Sequence, residues 1–195
     1  MLGLASAGIL MTPEEFDSIE EYDENYQYEL IHGVLVVHSI PLPEETGPNE
    51  LLGFYLLSYK LLHPEGAALS DTLPQQYVRV QGSRRLADRV IWAGLGRMPD
   101  LAADVPTIAV EFVSAGRRNW RRDYQEKRRE YLQAGVREYW IIDRFQRTMT
   151  VVRQSPAEPE EVVIPESDLY RTPLLPGFEL PLAKVLEAAD RWAGQ

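Results

Sequence analysis

The chain has no cysteine. That excludes disulfide cross-links and thiolate metal sites. No apolar run reaches the roughly 18 residues that suggest a bilayer span. The opening MLGLASAGILM is apolar but short, and without a basic lead-in it does not read as a signal peptide. There is no P-loop (G-x-x-x-x-G-K followed by Ser or Thr), so nucleoside triphosphate hydrolysis has no support. There is no G-x-S-x-G nucleophile elbow. Gly94-Leu95-Gly96 lacks the third glycine and the following helix of a dinucleotide site. The histidines are only three, His32, His38 and His63, without metal-ligand spacing, and they read as core or surface groups. Positive charge is also scarce: 20 Lys and Arg face 30 Asp and Glu, for a net charge of −10. A broad surface that wraps nucleic acid is therefore excluded. The cytosol is the default location expected from these absences.

What remains is an ordinary globular composition, 45% hydrophobic and 26% charged over 195 residues, as expected of one domain with a substantial core. The expected organisation is a disordered N-terminal extension over residues 1–11 and a single domain over 12–195. Thr12-Pro13-Glu14-Glu15 is a capping-box start for a short helix. Tyr28 to Val37 predicts two strands turning at His32-Gly33. Residues 41–48 read as a loop, and Asn49 to Leu62 has a helical rhythm. Gln76 to Val80 and Arg89 to Ala93 read as strands. Thr107 to Val113 is a near-continuous apolar run, the pattern of a strand covered on both faces. A helix capped by Asn119 should run to Gln133 and stop at Gly135. Glu138 to Ile142 and Thr148 to Arg153 are further strands, residues 155–161 a loop, and Leu180 to Ala193 a terminal helix. Strand–helix–strand at the centre argues α/β, with a mixed sheet flanked by helices.

The segment from Ile108 to Asp143 carries the chemistry. Glu111 stands alone in an apolar strand, where a carboxylate is costly without a counter-charge or a metal. Asp88 precedes an apolar strand, Lys127 lies on the helix after Glu111, and Glu29 opens the first hairpin. A hard divalent cation takes one or two protein carboxylates plus water. Asp88 and Glu111 can supply them if their strands are neighbours, and a lysine beside metal-bound water can orient it. Between Arg117 and Glu130 there are seven basic and three acidic residues. Arg117, Arg118, Arg121 and Arg122, with Arg128 and Arg129, could grip phosphates. Each has a plainer rival. Glu111 could pair with an arginine, Asp88 could cap a turn, and Lys127 could form a surface pair with Asp123. Glu29 could be a hairpin-edge charge, and the arginines a solvated helix face partnered by Glu126 and Glu130. Tyr124 and Tyr131, seven apart, should share a packing face, and Trp140 should be core.

The blocks Tyr28-Glu29-Leu30-Ile31-His32-Gly33, Ala87-Asp88 and Val110-Glu111-Phe112-Val113-Ser114 resemble the Uma2 family, within the PD-(D/E)XK nuclease superfamily. So do Asp123, Lys127 and Tyr131, then Ala134-Gly135-Val136 and Glu138-Tyr139-Trp140-Ile141-Ile142-Asp143. The resemblance implies a restriction-endonuclease-like fold and a Mg²⁺ site, with Mn²⁺ as a substitute. The expected activity is endonucleolytic hydrolysis of DNA. It implies Asp88 and Glu111 as metal ligands, Lys127 as the catalytic lysine and Glu29 as an auxiliary acid. A homodimer would suit the cutting of two strands. Two departures stand out. Ala87 replaces the usual proline before the first acid, and Val113 occupies the superfamily's lysine position, two residues after Glu111. Asp100, in Met98-Pro99-Asp100, is an alternative first acid. The rival from another class is a module that keeps the fold for binding and has lost catalysis.

Overall fold

The computed structural model describes residues 1–193, apart from the side chains of Arg118 and Asn119. A short helix α1 (Pro13–Asp17) starts as its sequence dictates. Thr12 Oγ1 accepts from Glu15 N, and Glu15 reaches back to Thr12 N. Strands β1 (Tyr26–Ile31) and β2 (Val34–Ser39) form the first hairpin, turning at His32-Gly33 with Gly33 at φ 79°. Residues 1–11 are not the disordered extension expected. Gly8 N and Ile9 O bond to Leu35, and Leu10 bridges Val34, so this apolar segment covers the hairpin.

Helix α2 (Pro43–Leu62) also departs from expectation, because residues 43–48 are helical rather than loop. Pro43 suits the first helical position, and Glu44 and Glu45 complement the dipole there. Pro48, the sixth helical residue, lies inside the helix, which forgoes the i→i−4 bond to Glu44 O there. Strands β3 (Leu69–Val80) and β4 (Ser83–Ala93) form a long hairpin, each extending beyond the expected apolar runs. The charged stretch Arg84, Arg85 and Asp88 hides the strand periodicity of β4.

Strand β5 (Ile108–Phe112) is buried throughout. Helix α3 (Arg117–Arg121) begins two residues before the expected cap, Asn119. It runs through a π-helical segment (Arg122–Lys127) into α4 (Arg128–Ala134), which ends on left-handed Gly135 at φ 101°. Strands β6 (Glu138–Asp143) and β7 (Thr148–Arg153) follow. Edge strand β8 (Glu160–Pro165) takes residues 160–161 from the expected loop. A small pair, β9 (Leu169–Tyr170) and β10 (Leu180–Pro181), precedes helix α5 (Leu182–Asp190), shorter than expected.

The main sheet runs β2-β1-β4-β5-β6-β7-β8, with β3 also paired to β4. Only the β5–β6 pair is parallel, with α3, the π segment and α4 as its crossover, so the sheet is mixed as expected. One face is covered by α2 and α5, where Leu52, Leu56, Ile108, Val110, Trp140 and Val185 form the largest apolar cluster. On the other face Tyr131 packs with Val90, Ala109, Tyr139 and Ile141. Trp140 is core, as read. Tyr131 is fully buried, whereas Tyr124 is half-buried with its OH on Asp143. Tyr124 packs against the same apolar cluster that holds Tyr131, so the two share a packing face, as their spacing predicts.

Candidate active site

The site lies along one edge of β4. β3 pairs along the whole of the other edge. On the site edge β4 meets β1 only at Leu30 and Arg84, and further along it pairs β5 from Arg89 to Ile91. Main-chain groups in the gap between β1 and β5 have no strand partner on this edge and must be satisfied by something else. Side chains take over. Glu29 Oε1 accepts from Leu86 N at 2.8 Å, Lys127 Nζ donates to Leu86 O at 2.7 Å, and Asp88 Oδ2 accepts from Phe112 N at 2.7 Å.

Continuing the pairing of Arg89 with Val110 by one step sets Asp88 opposite Glu111. Directly opposed residues have Cβ atoms roughly 4.5–5.5 Å apart and share a face. The two acids line one cavity of about 300 Å³ together with Glu29, Lys127, His38 and Arg122. Lys127 Nζ lies 2.8 Å from Glu111 Oε2 and 3.7 Å from Glu29 Oε1. Tyr131, one turn along the helix, donates its OH to Glu111 Oε1 at 2.8 Å. Glu29, Glu111 and Lys127 are buried, and Asp88 is half-buried.

Burial pushes Asp88 up to about 6, although Lys127 and the Phe112 N–H pull the other way. Burial also lifts Glu111 well above the carboxylate range; Lys127 opposes that rise, and Asp88 and Asp123 add to it. Burial disfavours the Lys127 charge, but Glu111 and Glu29 outweigh it and hold the ammonium above its ordinary value. For Glu29, burial is overcome by Lys127, His38 and Arg85, which hold its carboxyl well below the usual range. Two adjacent acids lifted by burial, in a cavity lined by four carboxylates (Glu29, Glu45, Asp88 and Glu111) and two cations (Arg122 and Lys127), form a donor set short of positive charge. That deficit and the oxygen chemistry fit a hard divalent cation. Among the described residues no group of three or more His, Asp or Glu side chains is arranged as a metal cage. A hard cation that keeps its waters needs only the two.

The remaining expected positions divide. Glu29 is not a hairpin-edge charge; it is drawn into the cluster. Asp100 is exposed in a loop, accepting from Ala102 N, and is not at the cavity. Arg122 lines the cavity and pairs with Asp123 at 2.9 Å. Arg121 is exposed, 3.6 Å from Glu126, and Arg117 is exposed. The side chain of Arg118 lies outside the described residues. Glu130 does not partner the arginine series; it faces buried Arg85, with Arg85 Nε 2.8 Å from Glu130 Oε2. Asp123 is fully buried, so Lys127 and Asp123 do not form a surface pair.

Sequence reasoning missed three participants. His38 Nε2 lies 3.0 Å from Glu29 Oε2. Gln75 Nε2 reaches Asp88 Oδ1 at 3.4 Å. Tyr131 was placed in a packing role only, although its i, i+4 spacing from Lys127 put both on one helix face.

Comparison with known proteins shows the family and the fold. The model of the Uma2 family, described as "Putative restriction endonuclease", matches residues 13–183. The chain belongs to the Uma2 family. Its fold is also that of the crystal structure of a "putative nuclease belonging to DUF820" from Anabaena variabilis ATCC 29413. The TM-score is 0.71 over 92% of this chain and 99% of that one, at 15% sequence identity. No curated protein matches the chain. Val113, where the resemblance would have set a lysine, is buried in the apolar cluster with Tyr131 and Val136. An ammonium reaches the second acid from the helix instead. Among the described residues no helix is long and apolar enough to cross a membrane.

Proposed function

We propose that the chain is a divalent-cation-dependent nuclease that hydrolyses DNA phosphodiester bonds. Asp88 and Glu111 would hold Mg²⁺ or Mn²⁺. A bound ion supplies an acidified water and neutralises phosphate charge. Lys127 keeps its proton and presents a fixed ammonium beside Glu111, where it orients a water or a non-bridging phosphate oxygen. Glu29 holds Lys127 charged and in place, and Tyr131 fixes the Glu111 carboxylate. Arg121 and Arg122, at the rim, meet the neighbouring phosphate. The observation that carries this reading is the 2.8 Å approach of Lys127 to Glu111 within the cavity that also holds Asp88.

The test is nicking of supercoiled and single-stranded circular DNA with Mg²⁺ or Mn²⁺, and with EDTA as control. Wild type should cut only with metal, and Glu111→Ala should lose at least about a hundredfold in rate. Equal cutting by both, or none by either, overturns the proposal. One observation favours a second reading, a non-catalytic binding module: Glu111 is already engaged by both Lys127 and Tyr131. Intact binding of DNA without cleavage under any divalent cation is the result expected from that reading.

A further inference from the structure

The candidate active cavity is flanked by two others that share lining residues with it. It shares Gln27 and Leu86 with a compartment of about 440 Å³. It shares His38 and Arg122 with another of about 600 Å³. The first compartment is walled by rings: Phe16, Tyr22, Tyr26 and Tyr77. Tyr22 is 51% exposed and Tyr77 40%, so ring faces are open to a visitor. The rings are braced rather than loose. Phe16 meets Tyr77 edge-on at 5.5 Å, Tyr22 meets Tyr28 at 6.0 Å, and Tyr77 OH donates to Tyr28 O at 2.9 Å. The third compartment carries Arg121 and Arg122 against the outer hairpin.

At the junction of rings and acids stands a bridge of two amides. Gln27 Nε2 donates to Gln75 Oε1, and Gln75 Nε2 points at Asp88 Oδ1. Gln75 adopts φ 50°, a left-handed conformation that a glutamine enters only at a cost. The strand therefore spends stability to place an amide between the two compartments. Amides there offer both donors and acceptors to the edge of a base.

We propose that this trough takes a single strand of DNA, an inference that rests on the nuclease reading. An unpaired base stacks among Tyr22, Tyr26 and Tyr77. The phosphate beside it lies at Asp88, Glu111 and Lys127, and the next phosphate meets Arg121 and Arg122. A paired base keeps its faces inside the duplex stack and offers nothing to these rings. A duplex footprint also calls for many phosphate contacts, which a chain of net charge −10 does not supply. Open aromatic rings in line with a pair of arginines are the combination by which proteins hold single strands.

The test is fluorescence anisotropy with Ca²⁺ in place of Mg²⁺ or Mn²⁺, so that the acids keep a divalent counter-charge, with the probes checked to be uncut after each reading. The probes are one labelled single-stranded oligonucleotide and its duplex. The single strand should bind at least about tenfold more tightly than the duplex. Tyr22→Ala, with an unchanged unfolding midpoint, should lose about tenfold for the single strand and nothing for the duplex. Tyr22→Trp should restore it. Equal or tighter duplex binding, undetectable single-strand binding, or indifference to both Tyr22→Ala and Tyr77→Leu overturns the inference. The two proposals fail separately. Tyrosine-dependent strand binding without metal-dependent cleavage removes the nuclease and keeps the trough. Cleavage with tyrosine-independent binding does the reverse.

Discussion

The two faces of the sheet bury charge in different ways. Under α2 and α5 the interior is apolar, and the two buried charges there are closely partnered. Arg89 donates from Nε to Asn49 Oδ1 at 2.7 Å and from Nη2 to Asn49 O at 3.1 Å. A Cβ at Gly53 would stand 2.7 Å from Arg89 Nη2, so α2 carries glycine where the guanidinium lies against it. Glu138 accepts from Trp140, Tyr170 and Arg153. Under the helix formed by α3, the π segment and α4, the charges crowd instead. Glu29, Arg85, Glu111, Asp123, Lys127 and Glu130 are all buried there. Several of their atoms, including Asp123 Oδ2 and Arg85 Nη2, have no protein hydrogen bond. The first face holds the fold together. The second stores unmet electrostatic demand, which is the usual condition of a site awaiting a charged ligand.

Removing a charge from the second face should have the largest effect. Lys127→Met strips the counter-charge from Glu111 and Glu29. It should cost about 3–5 kcal/mol of stability, and about 10²–10⁴-fold in any metal-dependent cleavage. Denaturant titration and single-turnover rates read the two. Leu56→Ala, on the apolar face, should cost about 2–5 kcal/mol by opening a cavity. Cleavage per folded molecule should stay unchanged, and the cost should be the same with and without Mn²⁺. If instead it abolishes metal response, the two faces are not separable.

Asp88→Asn sharpens the contrast, because its sign is opposite. The folded carboxyl, held near 6, exceeds the ordinary 3.8. The folded state therefore binds more protons than the unfolded chain between those values. The stability contributed by the neutral form is complete below about 4 and is lost as pH rises through about 6. The variant should be more stable than wild type at pH 7 by about 1–2 kcal/mol, allowing for partial exposure. Its stability should be flatter across that window, and Mn²⁺ should no longer raise its melting temperature. A destabilised variant that still responds to Mn²⁺ contradicts the assignment. Smallest of all, Arg121→Ser should change stability by less than about 1 kcal/mol, its pair with Glu126 being exposed. It should weaken DNA binding more at low salt than at high salt.

Much of the second face was legible because its chemistry violates the local pattern. A carboxylate within Ile-Ala-Val-Glu-Phe is conspicuous wherever the chain folds, and the helix after it offers few lysines. What stayed hidden depends on contacts between distant segments. His38 beside Glu29 follows from the β1–β2 register, and Gln75 beside Asp88 from the β3–β4 register. Neither residue is unusual in its own stretch. Arg84 and Arg85 disguised β4 because the network that makes their burial tolerable comes from α1, β1 and α4. Residues 43–48 read as a loop because two prolines and a glycine punctuate them, although Pro43 begins the helix that follows. The π turn left no trace in the apolar spacing, and Tyr124 still packs against the cluster that holds Tyr131.

On the nuclease reading, Asp88 and Glu111 share one divalent cation with Lys127 beside it. Anomalous diffraction from crystals soaked in Mn²⁺ would locate that ion. A single strong peak in contact with both carboxylates, absent in Glu111→Gln, is the expected result. No peak at that place, with Lys127 still bonded to Glu111 at saturating Mn²⁺, would contradict it.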